Sequence, residues 1–286
     1  MSLLNLAQVT SGGLVMGGLY ALVATGLSLV YGVTRMLNFA HGTFVVLAGI
    51  IGSILFVSYN VSPVLSIPLV ATVLFLFGLG FYNVLLRPIQ KLNHHEATIG
   101  TVLVTIGTFI VVEDLAAMAV GPTQRNILLP SAPIALSGGI VTTLQVYVLL
   151  GTASATIILH FFLKYSWLGR AMRALTQDQF AATVYGVQTE LIRGMTFAFG
   201  LGLAAIGGIL YAMTYPVDLH AGFLLTVKAF TIIAIGGIGN ISGALIASIV
   251  LGVAEALVAY YWSSAWVPAV SMVVLLGVLT LAPRDH

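Results

Sequence analysis

Apolar residues run through this chain in long uninterrupted stretches, with charge, Pro and Asn gathered in short clusters between them. Crossing a hydrocarbon core about 30 Å thick takes roughly 20 residues of helix. That pattern predicts helical spans over residues 6–30, 43–57, 63–86, 98–120, 144–163, 195–212, 223–238, 241–261 and 265–281. The second and seventh are short for a straight crossing, so the expected count is eight to ten. The fold class is an all-α integral membrane protein, a polytopic bundle with some discontinuous segments.

Composition removes the soluble alternatives. The 286 residues are 59% hydrophobic and 6% charged, with a mean hydropathy of +1.10, whereas a water-soluble surface needs about a quarter of its residues charged. The formal charge of +2 gives no support to nucleic-acid binding, and the lack of cysteine excludes disulfides and thiolate metal sites. The segment after Met1 lacks a basic n-region and continues too far for a cleavable h-region, so it reads as a retained first span.

Charge placement predicts orientation, because basic residues collect in cytoplasmic connections. Arg35, Arg87, Lys91, Lys164, Arg170, Arg173, Arg193 and Arg284 fall on one side, Arg125 falls opposite, and Lys228 lies within a span. The N-terminus is expected outside and the C-terminus inside. Two connections are long: 121–143 on the outer side, with Pro122, Pro130 and Pro133, and about 164–194 on the inner side. Neither holds a separate domain, so residues 1–286 form one transmembrane domain. Closely spaced glycines, such as Gly12-Gly13 and Gly207-Gly208, favour tight helix packing over a wide pore.

The inner loop carries the clearest local signal. Asp178 is an N-cap candidate and Gly186 a C′ candidate, framing about two helical turns over 178–187. Phe180, Ala181, Val184 and Val187 are expected to share one face. So short a helix is marginal alone and must dock, either on lipid headgroups or in a partner's groove, with Arg170 and Arg173 at its approach.

At Gly26-Leu-Ser-Leu-Val-Tyr-Gly-Val33 and Leu37-Asn-Phe-Ala-His-Gly42 the chain resembles the branched-chain amino-acid permease family of ATP-binding cassette importers. The resemblance continues through Gly169-Arg-Ala-Met-Arg-Ala174, Asp178, Ala181-Ala182 and Gly186. It extends to Lys228-Ala-Phe230, Gly236-Gly-Ile-Gly239, Gly243-Ala244, Gly252 and Glu255, so it covers about residues 17–255. It implies that the loop helix couples to an ATP-binding subunit through Arg170, Arg173, Asp178, Phe180, Ala182, Val184 and Gly186. It also implies two cytoplasmic ATP-binding subunits, a second homologous but distinct permease, and an extracytoplasmic solute-binding protein, in the cell inner membrane. ATP and Mg would sit on the partner subunits, with no cofactor on this chain, which lacks a Gly-x-x-x-x-Gly-Lys-Ser/Thr phosphate loop. Gln179 and Phe180 stand where family loops commonly carry charge. The family also includes permeases for urea, short amides and other amino acids, and nothing in these residues separates those substrates.

Polar residues at membrane depth are the remaining candidates. Asn38, Phe39, His41 and Gly42 mark either a broken helix at a translocation path or gate, or an inner loop whose His41 bonds a neighbouring carbonyl. No second ligand lies at a metal-binding spacing from His41. Asp218-Leu-His220-Ala-Gly222 is a comparable interruption in the second half and hints at an internal repeat. Lys228 and Glu255 are expected to pair as an intramembrane brace, and Glu113 and Asp114 to be solvated at the outer end. The rival reading is a self-sufficient secondary carrier or channel for a small polar solute, which needs a coupling-ion site and gives the loop helix no role. An enzyme is disfavoured, since no His-Glu-x-x-His, Gly-x-Ser-x-Gly or cysteine nucleophile is present.

Overall fold

The apolar runs become helices that stack into a single bundle in the computed structural model, which describes residues 3–281 apart from Pro122, Ser137 and Gly138. Pro122 of the outer loop and Arg284 of the basic set therefore lie outside the described residues. The order is α1 (Leu3–Thr34), α2 (His41–Tyr59), α3 (Pro63–Phe81), a π-helical turn (Tyr82–Leu86), α4 (Arg87–Ile89) and α5 (His94–Val120). A hairpin of β1 (Pro133–Leu136) and β2 (Gly139–Thr142) precedes α6 (Thr143–Tyr165), α7 (Trp167–Gln177) and α8 (Gln179–Val184). The chain closes with α9 (Thr189–Thr214), α10 (Ala221–Gly236), α11 (Ile241–Tyr261) and α12 (Val267–Leu281). Among the described residues, seven helical segments are long and apolar enough to cross a membrane, and α10 and α12 are shorter apolar helices. The small antiparallel ribbon is the one addition to the expected all-helical plan, because four-residue strands leave no periodic signal.

Local chemistry fixes the helix ends. The Thr142 hydroxyl accepts from the Gln145 N–H while the Gln145 side chain accepts from the Thr142 N–H, a reciprocal cap that starts α6. Ser166 and Asn240 cap α7 and α11 in the same sense, by accepting from Gly169 and Gly243 N–H groups. Pro63 begins α3, where its missing N–H costs nothing. Pro68 inside α3 has no N–H to offer the Val64 carbonyl one turn back, and its own carbonyl accepts from the Thr72 hydroxyl at 2.8 Å.

Helices α1 and α9 form the buried centre, running antiparallel: Gly207 meets Leu22 and Val23, while Gly200 meets Val30. Helix α11 crosses the other side of α1, where Gly252 lies against Gly13 and Gly17. Connections 35–40, 90–93, 166–188 and 237–240 gather at one end of the bundle, here the loop end. The hairpin end carries 60–62, 121–142, 215–220 and 262–266. There the long connection is tied down by paired bonds between Arg125 and Val217 and by Ile127 N–H donating to Ala212 O.

The two spans expected to be short both start within the bundle, although α2, at 19 residues, is long enough to cross a membrane and only α10 is shorter. After α1 ends at Thr34 the chain turns through Arg35, at a left-handed φ of 56°, and re-enters the bundle. Helix α2 begins where His41 bonds the Val23 carbonyl, 11 residues back from Thr34 and so about 16 Å up α1. Helix α10 begins beside Thr43 and runs the opposite way. The boundaries repeat with an offset of 180 residues: α1 and α9 end at Thr34 and Thr214 (214 − 34), α2 and α10 begin at His41 and Ala221 (221 − 41). Since α9 is antiparallel to α1, the second unit is inverted; the two interruptions in the sequence hinted at a repeat but not at its inversion. A re-entrant connection plus its half-helix amounts to one crossing, so the side assigned to every later connection is unchanged.

Candidate functional site

Three groups of side chains carry the candidate chemistry, and the inverted repeat positions the first of them. Asn38 and Asp218 occupy equivalent places: the Asn38 Oδ1 accepts from Ala40 N–H at 3.1 Å, and the Asp218 Oδ1 accepts from His220 N–H at 2.9 Å. Each side chain thereby makes the turn that starts a half-helix. The half-helices touch at Gly42 and Gly222. A Cβ built on Gly42 would fall 2.1 Å from the Gly222 carbonyl oxygen, so no other residue fits. The Gly42 N–H donates to the Thr226 hydroxyl at 2.9 Å, and that hydroxyl lies 3.1 Å from the Phe39 carbonyl, locking the two N-termini together.

His41 is fully buried, and its Nε2–H donates to the Val23 carbonyl at 3.1 Å. Asn38 and Gly42 are buried as well. Phe39 keeps exposed surface and packs tilted against Phe230 of α10, ring centroids 5.4 Å apart, next to the wall formed by α5, where Phe109 meets Phe223. Of the four residues at the interruption, only Phe39 keeps exposed surface. The other three hold the half-helices in register.

The second group is a buried triad. The Lys228 Nζ donates to the Glu255 Oε2 at 2.7 Å and to the Tyr20 hydroxyl at 2.5 Å, and the Tyr20 O–H donates to the same Oε2 at 2.7 Å. The Lys228 and Glu255 side chains are 7% and 3% exposed, so each charge depends on the other. The triad joins α1, α10 and α11. Tyr20 escaped the sequence reading, because a tyrosine within an apolar run carries no signal until its partners are known.

The third group is the loop end. Asp178 caps α8 by accepting from the Ala181 N–H at 3.0 Å. Gly186, at φ +85°, closes it with paired bonds, Gly186 N–H to Thr183 O and Val187 N–H to Ala182 O. Ala182 packs inward, while Phe180 at 81% and Tyr185 at 88% exposure protrude with Val184. Val187 packs toward the bundle and does not share the Phe180 and Val184 face expected of it.

Gln179 faces the bundle. Its amide donates to the Val33 carbonyl in the last turn of α1 and accepts from Arg193 on α9, and Arg193 also pairs with Glu190. One side chain therefore ties α8 to both central helices. Arg170 and Arg173 sit on α7, and they donate to the Tyr165 and Lys164 carbonyls at the end of α6. They complete the last turn of α6, which leaves α8 to present its own apolar face.

Residues 9–283 match the family model described as the branched-chain amino acid transport system permease component. The chain belongs to that family. The permease is 32% identical to the high-affinity branched-chain amino acid transport system permease protein LivH of Salmonella typhimurium, over 95% of this chain and 92% of the relative. It is 31% identical to the corresponding permease protein BraD of Pseudomonas aeruginosa, with the same coverage. Among solved structures it is similar to PsaBC from Streptococcus pneumoniae in complex with Fab, with a TM-score of 0.53 at 11% identity, covering 96% and 92% of the two chains. That likeness shows the fold alone. The permease is thus a multi-pass membrane protein of a transport family.

At the hairpin end of the permease, Glu113 is not simply solvated as expected: its Oε1 pairs with the His220 Nδ1, while Asp114 is exposed. The hydrogen bond and charge of Glu113 raise the His220 pKa. The His220 backbone N–H, helped by the Gln124 amide, holds the Asp218 carboxyl below its usual range. No group of three or more potential metal ligands occurs among the described residues.

Proposed function

We propose that the permease moves branched-chain amino acids inward, powered by two ATP-binding subunits that engage α8 at a cytoplasmic loop end. The observation that carries this reading is α8 itself. It is a short helix capped at both ends, projecting Phe180, Val184 and Tyr185 into solvent while Gln179 anchors it to α1 and α9. Exposed apolar groups on a rigid helix suit a partner's groove, and the anchor supplies a route for movement into the bundle. Arg35, Arg87, Lys91, Lys164, Arg170, Arg173 and Arg193 at the same end favour cytoplasmic placement in a cell inner membrane. The substrate class rests on the names of LivH and BraD.

Helix α5 supports a second, homologous permease partner. It is apolar around most of its circumference, with Leu103, Ile106, Ile110, Leu115 and Met118 exposed, and it borders Phe39 and the half-helix N-termini. A partner covering α5 would enclose a path lined by Phe39 and Phe230, whose outer mouth receives solute from a binding protein at the hairpin end. ATP and Mg belong to the ATP-binding subunits in this scheme. The secondary-carrier reading loses its best candidate ion site, since the Lys228 ammonium neutralises the Glu255 carboxylate.

Purification of the tagged permease in mild detergent tests the proposal. Two ATP-binding subunits and a second permease are expected to accompany it, and Phe180→Asp to release the ATP-binding subunits while the two permeases stay together. Recovery of the chain alone, still moving solute in liposomes without ATP, would overturn the reading.

A further inference from the structure

Between α6 and α11, at the loop end, lies a cleft of about 470 Å³ that the transport reading does not use. Leu29 of α1 forms its back wall and α7 closes its end. Its rim carries two cations, Lys164 on α6 and Arg173 on α7, with the His160 imidazole one turn from Lys164 and no carboxylate among the lining residues. Lys164 and Arg173 have no acidic partner among the described ion pairs, and Lys164 rests against the Tyr165 ring. The amide-bearing Asn240 and Gln177 stand beside them, and the first turn of α11 opens into the same space. Asn240 already caps one N–H of that turn, at Gly243, and the remaining partial positive charge of a helix N-terminus favours an anion.

We infer that this cleft binds the headgroup of an anionic phospholipid, with the phosphate held between Lys164 and Arg173 beside the α11 N-terminus. Depth decides for a lipid over a soluble anion. His160 lies within the apolar span of α6, one turn deeper than Lys164, and Leu29, Leu163, Met172 and Ile241 line the cleft with hydrocarbon, while Ile157, a further turn along α6, is exposed. An occupant must therefore offer negative charge at the rim and hydrocarbon along the walls. Basic pockets between membrane helices suit anionic headgroups, and long cationic side chains near a span end reach the interface while their stems stay in apolar surroundings. The site acts by holding α6, α7 and α11 at fixed separation at the foot of the coupling loop.

The test uses the assembled transporter, titrated with phosphatidylglycerol or phosphatidylcholine of equal chain length and read by native mass spectrometry. Phosphatidylglycerol is expected to be retained preferentially. Each cation near a membrane surface contributes about a fivefold gain in binding, so Lys164→Gln with Arg173→Gln should weaken retention about 25-fold. Lys164→Arg should keep it, which separates loss of charge from loss of fold, and Lys91→Gln should leave it unchanged. Equal retention of the two lipids, or unchanged retention in the double variant, would overturn the inference. Displacement by excess inorganic phosphate would assign the cleft to a soluble anion and overturn it too. None of these outcomes depends on which partner α8 engages.

Discussion

Removing one charge from the Lys228–Glu255–Tyr20 triad probes whether it braces the bundle or conducts coupling ions. Glu255→Gln leaves the Lys228 ammonium at membrane depth with only neutral partners, the Tyr20 hydroxyl and the new amide oxygen. A lysine at the centre of a membrane helix costs about 2.5–3.5 kcal/mol, and halving a buried pair costs about 3–5 kcal/mol. The expected loss is therefore about 3 kcal/mol, a factor of roughly 150 in the unfolding equilibrium. Lys228→Met strands the carboxylate, with its already unpartnered Oε1, at a similar cost. The double variant has no charge to strand, and the Tyr20 hydroxyl can still bond the new amide, so it should lose only about 1–2 kcal/mol. Reversible unfolding of the four proteins in bicelles gives the coupling energy, expected to be at least about 3 kcal/mol. A brace also predicts that the double variant still transports in proteoliposomes. Costs that add to within about 0.5 kcal/mol, or a stable but inactive double variant, would refute the brace.

Gly42→Ala should abolish insertion-competent folding, because its methyl would overlap the Gly222 carbonyl, while Gly107→Ala, with open space around it, should behave as wild type in expression and thermal stability. Gln179→Leu removes the link from α8 to α1 and α9, so ATPase activity should persist but stop responding to substrate, whereas Asp178→Ala should cost about 1 kcal/mol of local helix stability and show as faster amide exchange. The His220–Glu113 pair raises the folded pKa of His220, so its stabilisation is full below the unfolded value of about 6.5 and is lost as pH rises through the folded value. Glu113→Gln should flatten that part of a melting-temperature profile; an unaltered profile would count against the pair.

Membrane residence, the long spans and the caps of α8 were legible in the sequence, because each rests on local rules: apolar length against bilayer thickness, and a capping residue at each helix end. The charge asymmetry was legible for the same reason. The two short spans were visible as anomalies, but their nature was not. Nothing local says that residues 35–40 re-enter the bundle; that follows from the His41 bond to Val23 and from the Gly42 contact with Gly222, across 180 residues of chain. Two residues of similar sequence signal also parted in role. Phe180 faces outward and Gln179 inward, because the short α8 is oriented by its packing on α1 and α9 rather than by its own periodicity. Tyr20 belongs with Lys228 and Glu255 only once three helices are brought side by side. The sequence by itself determined what must be buried in lipid, and tertiary packing decided which polar groups meet, since a buried polar atom takes its partner from whichever helix the fold places within hydrogen-bond reach.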